Sequence, residues 1–131
     1  MNANKFSFII IDDDPVNNLI CQRIILNALP DTKIIIFTDS LSAIQFLKNA
    51  GNLAENLTTV ILLDINMPEV SGWDFLELFG EFNEHLRKKV RIYINSSSIN
   101  AQDKQRAENN DQVMGYLIKP LTKEKVFKVS G

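Results

Sequence analysis

An α/β fold built on a doubly wound, five-stranded parallel sheet is what the sequence predicts, from three observations. Five short apolar runs of strand length recur along the chain, stretches with helical spacing separate them, and the 131 residues suit one domain of ordinary size. Strand followed by helix, five times over, is the pattern of parallel strands joined by right-handed crossovers. A composition of 45% hydrophobic and 23% charged residues lies near the globular average, so residues 1–131 are read as a single domain with one buried core.

The first run, Phe6 to Ile11, is almost wholly apolar and ends at three aspartates. Asp14 before Pro15 then reads as a helix N-cap with proline at the first helical position, opening a helix marked by Leu19, Ile20, Arg23, Ile24 and Leu26 to Leu29. Ile34 to Phe37 forms the second strand, and Leu41, Ala43, Ile44, Phe46 and Leu47 mark a second helix ending before Gly51. The segment from Gly51 to Thr59 is the longest expected loop, and it enters the third strand, Val60 to Leu63, from the end remote from chemistry. A third helix starts after Gly72 and carries Trp73, Phe75, Leu76, Leu78, Phe79 and Phe82, with His85 at its polar end. The fourth strand is Ile92 to Ile94, followed by a polar helix from about Asn100 to Asn110. The fifth, weaker strand runs from Met114 to Ile118, and a short helix begins at Leu121. None of the runs alternates cleanly between apolar and polar residues, which is the mark of strands covered on both faces.

Several function classes are disfavoured at once. Fourteen basic against sixteen acidic residues leave a net charge of -2, a poor footprint for gripping a phosphate backbone, so no nucleic-acid binding is expected of this domain. The single cysteine, Cys21, has no internal partner for a disulfide and reads as a small core residue. No apolar run approaches the roughly 20 residues that span a bilayer, and Ile11 runs directly into aspartates where a secretory signal would stay apolar. A cytoplasmic protein without membrane contact is expected.

In an open parallel sheet, ligands bind outside the carboxyl ends of the strands. Just after the runs stand Asp12 to Asp14, then Asp64, then Ser96 to Ser98, then Lys119 and Pro120. If the order is the flavodoxin-like 2-1-3-4-5, strands one and three are neighbours and their carboxylates share a pocket. Crowded carboxylates require compensation, and an oxygen-rich set open to water suits Mg²⁺. A carboxylate beside Mg²⁺, a lysine and a hydroxyl is arranged to accept a phosphoryl group. Taken singly, Asp14 is equally a helix cap, Asp64 a turn residue, Lys119 a solvated cation and the serines a helix cap; their coincidence at one edge favours the site.

The segments IIIDDDPVNN, LLDINMPEVSGWDFL, IYINSSS and GYLIKPLT, in that order and spacing, resemble the receiver domain of two-component response regulators over essentially the whole chain. The resemblance implies a (βα)₅ fold in which Asp64 is the phosphoacceptor. Asp12 and Asp13 would hold Mg²⁺ together with the Asp64 side chain and the backbone carbonyl of Asn66. Lys119 would pair with phosphoryl oxygens, and the Lys119-Pro120 peptide would be cis. Ser96 would be the switch hydroxyl, with Tyr116 the aromatic that follows its movement. The donor would be a phosphohistidine on a sensor histidine kinase or phosphotransfer protein, and the domain would catalyse its own phosphorylation and dephosphorylation. The signal would leave by docking a downstream protein or by homodimerisation through the last two helices and fifth strand. Asn66 and Ser98 would flank the route of an attacking water.

Three departures from the family pattern stand out. Asn95 occupies a position usually aliphatic, the run Ser96 to Ser98 leaves Ser97 as an alternative switch hydroxyl, and the last helix, Leu121 to Gly131, is short. Rival readings are a phosphorylation-independent interaction module on the same fold and a phosphoaspartyl hydrolase resembling the haloacid dehalogenase group. In the latter, Asp12-x-Asp14-x-Val16 would supply the nucleophile, but there is no acidic pair after Lys119 and Asp64-x-x-Met67-Pro68 is left without a role. A flavin-binding domain of this topology would carry Ser, Thr and Gly where this chain has Asp12 to Pro15.

Overall fold

The computed structural model describes residues 5–49, 53 and 56–131. Five parallel strands, β1 (Phe6–Ile11), β2 (Lys33–Phe37), β3 (Thr58–Leu63), β4 (Val90–Ser96) and β5 (Val113–Ile118), form one sheet in the order β2-β1-β3-β4-β5. The expected strands are all present, each starting one or two residues earlier than its apolar run except β1. The extra residues include Lys33, Thr58, Thr59 and Arg91, which join the ladders without contributing an apolar signal. Part of the loop expected from Gly51 to Thr59 lies outside the described residues.

The side-chain period of two explains why the strands do not alternate in polarity. Ile9, Ile11, Ile61, Leu63, Ile92 and Ile94 face one layer, packed on α2 (Ser40–Lys48), α3 (Gly72–Phe79) and α5 (Ala101–Glu108). Phe8, Ile10, Val60, Leu62, Tyr93 and Leu117 face the other, packed on α1 (Pro15–Ala28) and α6 (Lys123–Val129). Each face therefore needs an apolar residue at nearly every position.

Two details depart from the sequence pattern. A separate short helix, α4 (Glu84–Lys88), follows α3, so the described residues form six helices rather than five, and His85 lies in α4 instead of at the end of α3. The break follows from Gly80 at the end of α3 and from Asn83, whose side chain accepts from the Leu86 amide and starts a new helix. In α1 the periodic residues Leu19 and Ile20 stand 48% and 46% exposed, and the buried face is instead Asn18, Cys21 and Ile25. No helix among the described residues is long and apolar enough to cross a membrane.

Candidate functional site at the carboxyl edge of the sheet

The register of the central strands assembles the site. The Asp64 amide donates to the Ile11 carbonyl at 2.9 Å, so β3 delivers Asp64 beside the end of β1. The Asp12 amide donates to the Phe37 carbonyl at 3.1 Å, which ties the same corner to β2. One carboxylate oxygen from each of Asp12, Asp13 and Asp64 lies within 4.8 Å of the others, Asp12 and Asp64 being buried and Asp13 exposed.

Asp12 is the most heavily bonded of the three. Its Oδ2 accepts from Lys119 Nζ at 2.8 Å and from Asn17 Nδ2 at 2.8 Å, and its Oδ1 accepts from the Asp14 amide at 2.9 Å. Asp64 is freer: its Oδ1 accepts from the Asn66 amide at 3.2 Å, and its Oδ2 lies 4.0 Å from Lys119 Nζ. Burial, and after it the charge of Asp12, pushes the Asp64 carboxyl above the usual carboxylate range. Burial also works against the charge on Lys119, but the hydrogen bond and charge of Asp12 outweigh it and hold the ammonium above its usual range. Both groups are thus set by their crowding: an excess of negative charge favours an added cation. Three carboxylates, hard oxygen donors with one side open to solvent at Asp13, fit a small divalent ion of the Mg²⁺ type.

Ser96 ends β4 fully buried, whereas Ser97 is exposed. Ser96 Oγ accepts from Asn66 Nδ2 at 3.5 Å and from the Ser98 amide at 3.1 Å, so of the two serines it is Ser96 that faces the residues around Asp64. Tyr116 on β5 is half-buried, and its phenol donates to the Ser98 carbonyl at 2.9 Å. The Lys119 amide donates to the Ser96 carbonyl at 2.9 Å, and the Lys119-Pro120 peptide is cis. α3 approaches from below: a Cβ on Gly72 would lie 2.5 Å from the Asp64 carbonyl oxygen.

Two residues in the site's support were not singled out from sequence. Asn17 sits in the first turn of α1, where its amide reaches Asp12. Lys125 on α6 donates to the carbonyls of Ile118 and Pro120, fixing the turn that carries Lys119. An Asn one turn after an aspartate run and a Lys six residues after Lys119 were the available signals, but neither has a periodic signature. Asn95 is buried, with Nδ2 3.8 Å from Cys21 Sγ and Oδ1 without a hydrogen-bond partner among the described residues. Cys21 itself is a free, buried thiol pushed up to about 11 by burial and then by the charge of Asp12, so it stays protonated and unreactive at neutral pH.

A doubly wound sheet with this strand order is the CheY-like fold, and here it carries three carboxylates at its edge. Residues 8–130 match the family described as the response regulator receiver domain, and the chain belongs to that family, part of two-component signalling. Among curated relatives, Response regulator Rcp1 of Synechocystis is 26% identical over 122 residues, covering 92% of this chain and 81% of the relative. The crystal structure of a two-component response regulator from Cytophaga hutchinsonii is 29% identical with a TM-score of 0.86, covering 97% of this chain and 95% of that one. A response regulator receiver protein from Dyadobacter fermentans is 28% identical, with a TM-score of 0.84 and coverages of 95% and 94%.

Proposed function

We propose that residues 1–131 act as a single phosphoacceptor domain, taking a phosphoryl group from a phosphohistidine of a sensor histidine kinase or phosphotransfer protein onto Asp64. The observation that carries this reading is the placing of the Asp64 carboxylate, buried and only lightly bonded, 4.0 Å from the Lys119 ammonium and within a set of three carboxylates. An oxygen of Asp64 attacks phosphorus, the phosphorus–nitrogen bond to the donor imidazole breaks, and the imidazole leaves with the bonding pair. Asp12, Asp13, Asp64 and the Asn66 backbone carbonyl would hold Mg²⁺, which when bound would supply the charge that neutralises the phosphoryl oxygens.

Lys119 pairs with one of those oxygens by a short swing away from Asp12, and Ser96 turns its hydroxyl to another. Tyr116 follows because its anchor, the Ser98 carbonyl, belongs to the same turn as Ser96. Hydrolysis of the aspartyl phosphate by water, past Asn66 and Ser98, resets the domain. The protein works in the cytoplasm, and its signal leaves by docking a downstream protein or by pairing with a second copy through β5 and the last two helices, where Met114 and Phe127 are 59% and 50% exposed.

The test is the intact mass after incubation with acetyl phosphate, with Mg²⁺ or with EDTA, followed by peptide mapping. A gain of one phosphoryl mass at Asp64 that requires Mg²⁺ is the expected result. No gain under either condition would support the interaction module instead.

Lys119→Ala provides a second check. In the absence of Mg²⁺ it strands the buried Asp12 charge, so a loss of about 2–3 kcal/mol in denaturant unfolding is expected, at or below the low end for breaking a buried pair because Asn17 and the Asp14 amide still hold Asp12. Adding Mg²⁺ recovers much of that loss. Some phosphoryl uptake persists in this variant, but the accompanying change in amide exchange at 96–100 disappears.

A further inference from the structure

α5 is an unusual helix for a position against the sheet. Its sequence, AQDKQRAE, contains no large apolar residue, and only Ala107 is buried. Eight residues do not form a stable helix alone, so its seating depends on what ties it down. Ala107 packs into the core, and beside it, between α5 and β5, lies a cleft of about 470 Å³ lined by Ala107, Gly115 and Tyr116 among others.

Two side-chain ties fasten α5 to the rest of the domain. Ser98 Oγ donates to Asp103 Oδ2 at 2.7 Å, and the Arg106 guanidinium lies over the Trp73 ring, 4.4 Å from its centroid. Both ties lead back to the Asp64 loop. Ser98 is bonded through its amide to Ser96 Oγ, which accepts from Asn66 two residues beyond Asp64. Trp73 follows Gly72, where the start of α3 lies so close to the Asp64 and Ile65 backbone that a Cβ would not fit. One anchor of α5 therefore leads to the turn at Ser96, and the other to the close seam between α3 and the end of β3.

We propose that the Arg106–Trp73 stack is a brake on switching: it holds α5 in its unphosphorylated seat, and the turn of Ser96 toward an aspartyl phosphate works against it through Ser98 and Asp103. The proposal deepens the phosphoacceptor reading of Asp64 and rests on it. When Ser96 Oγ leaves the Ser98 amide, the turn 96–100 loosens and pulls on Asp103, while Arg106 resists because its aromatic seat stays in place. An exposed cation–π contact shifts such a two-state balance by about two- to fivefold.

Trp73 is the only tryptophan, so tryptophan emission comes from the residue under the Arg106 guanidinium. The experiment compares wild type, Arg106→Ala and Arg106→Lys in the full chain. Without any phosphoryl source, Arg106→Ala is expected to change Trp73 emission and to speed amide exchange across 101–108 by about two- to fivefold, with the strands unaltered and Arg106→Lys intermediate. Unchanged emission and exchange in Arg106→Ala overturn the brake. In the second arm, beryllofluoride with Mg²⁺ serves as a stable mimic of the aspartyl phosphate. By linkage Arg106→Ala should reach half-saturation at a concentration about two- to fivefold lower than wild type. Equal half-saturation overturns the coupling to the site. If wild type neither responds to beryllofluoride nor takes up a phosphoryl group, the phosphoacceptor reading and the coupling fall together, and the first arm still decides the contact itself.

Discussion

Asp64→Asn is expected to lose all phosphoryl uptake from acetyl phosphate while unfolding at a higher temperature than wild type. The first half follows from chemistry: a carboxamide has no anionic oxygen with which to attack phosphorus, and Asp12 and Asp13 are not placed beside the Lys119 ammonium in an equally free state, Asp12 being held by three donors and Asp13 exposed. The second half follows from the sign of the Asp64 shift. Burial, and then the charge of Asp12, raises its folded pKa above the unfolded value. A carboxyl shifted upward contributes stability that is fully present below the unfolded pKa and is lost as pH rises through the folded one. At neutral pH its ionised form is a net cost to the fold, and the amide removes that cost.

Relief at a functional site of this kind is worth about 0.5–2 kcal/mol, and for a domain of this size about 3–5 °C of melting temperature per kcal/mol. The measurement is thermal unfolding in EDTA at neutral and acidic pH, beside the mass assay. The variant's advantage should be largest at neutral pH and shrink as the pH falls through the carboxylate range, where wild-type Asp64 takes up its own proton. Mg²⁺ should also shrink it, by compensating the same charge in wild type. A variant that gains the phosphoryl mass, or that melts below wild type in EDTA at neutral pH, would show that Asp64 is neither the acceptor nor under electrostatic load.

The five strands were legible because both faces of the sheet are covered: Ile9 and Ile10, or Ile61 and Leu62, face opposite layers, so burial writes itself into the chain as unbroken apolar runs. The cluster at the edge was legible for a topological reason. Once strands one and three are neighbours, residues that follow them must meet, and Asp12, Asp13 and Asp64 do. What escaped the sequence are contacts that no periodicity encodes. Asn17 supports Asp12 from a helix whose own apolar markers, Leu19 and Ile20, point largely to solvent. Arg106 looks like a solvated charge on a polar helix, and its aromatic seat is 33 residues earlier in the chain, in an element joined to it only through the fold. Even Ser96 and Ser97 were separable only by the strand's last residue, since adjacent positions on a strand face opposite ways.

The remaining large effect is expected at Gly72, a position whose requirement is steric. Its backbone is not left-handed, so alanine is conformationally acceptable there. The added Cβ, however, would lie 2.5 Å from the Asp64 carbonyl oxygen and 2.7 Å from the Ile65 Cα, both main-chain atoms at the end of β3. Neither can step aside without moving the acceptor loop or the start of α3. Overpacking of a close contact costs about 1–3 kcal/mol, and the absence of any yielding side chain puts Gly72→Ala at the upper end or beyond. The displacement also falls on Asp64 itself. A shift of about 1 Å in a reacting group costs on the order of 10²-fold in rate, so phosphoryl uptake should fall far more than stability alone explains. Gly80→Ala separates this from a general intolerance of added methyls. There the new Cβ would meet Gln112 Nε2 at 2.8 Å, the far end of a flexible side chain that can swing away, and a change within about 1 kcal/mol is expected with uptake intact. Denaturant unfolding and the rate of phosphoryl gain, measured for both variants, carry the comparison. If Gly72→Ala matches Gly80→Ala in both, α3 does not set the position of Asp64, and the fixed anchor assigned to Trp73 goes with it.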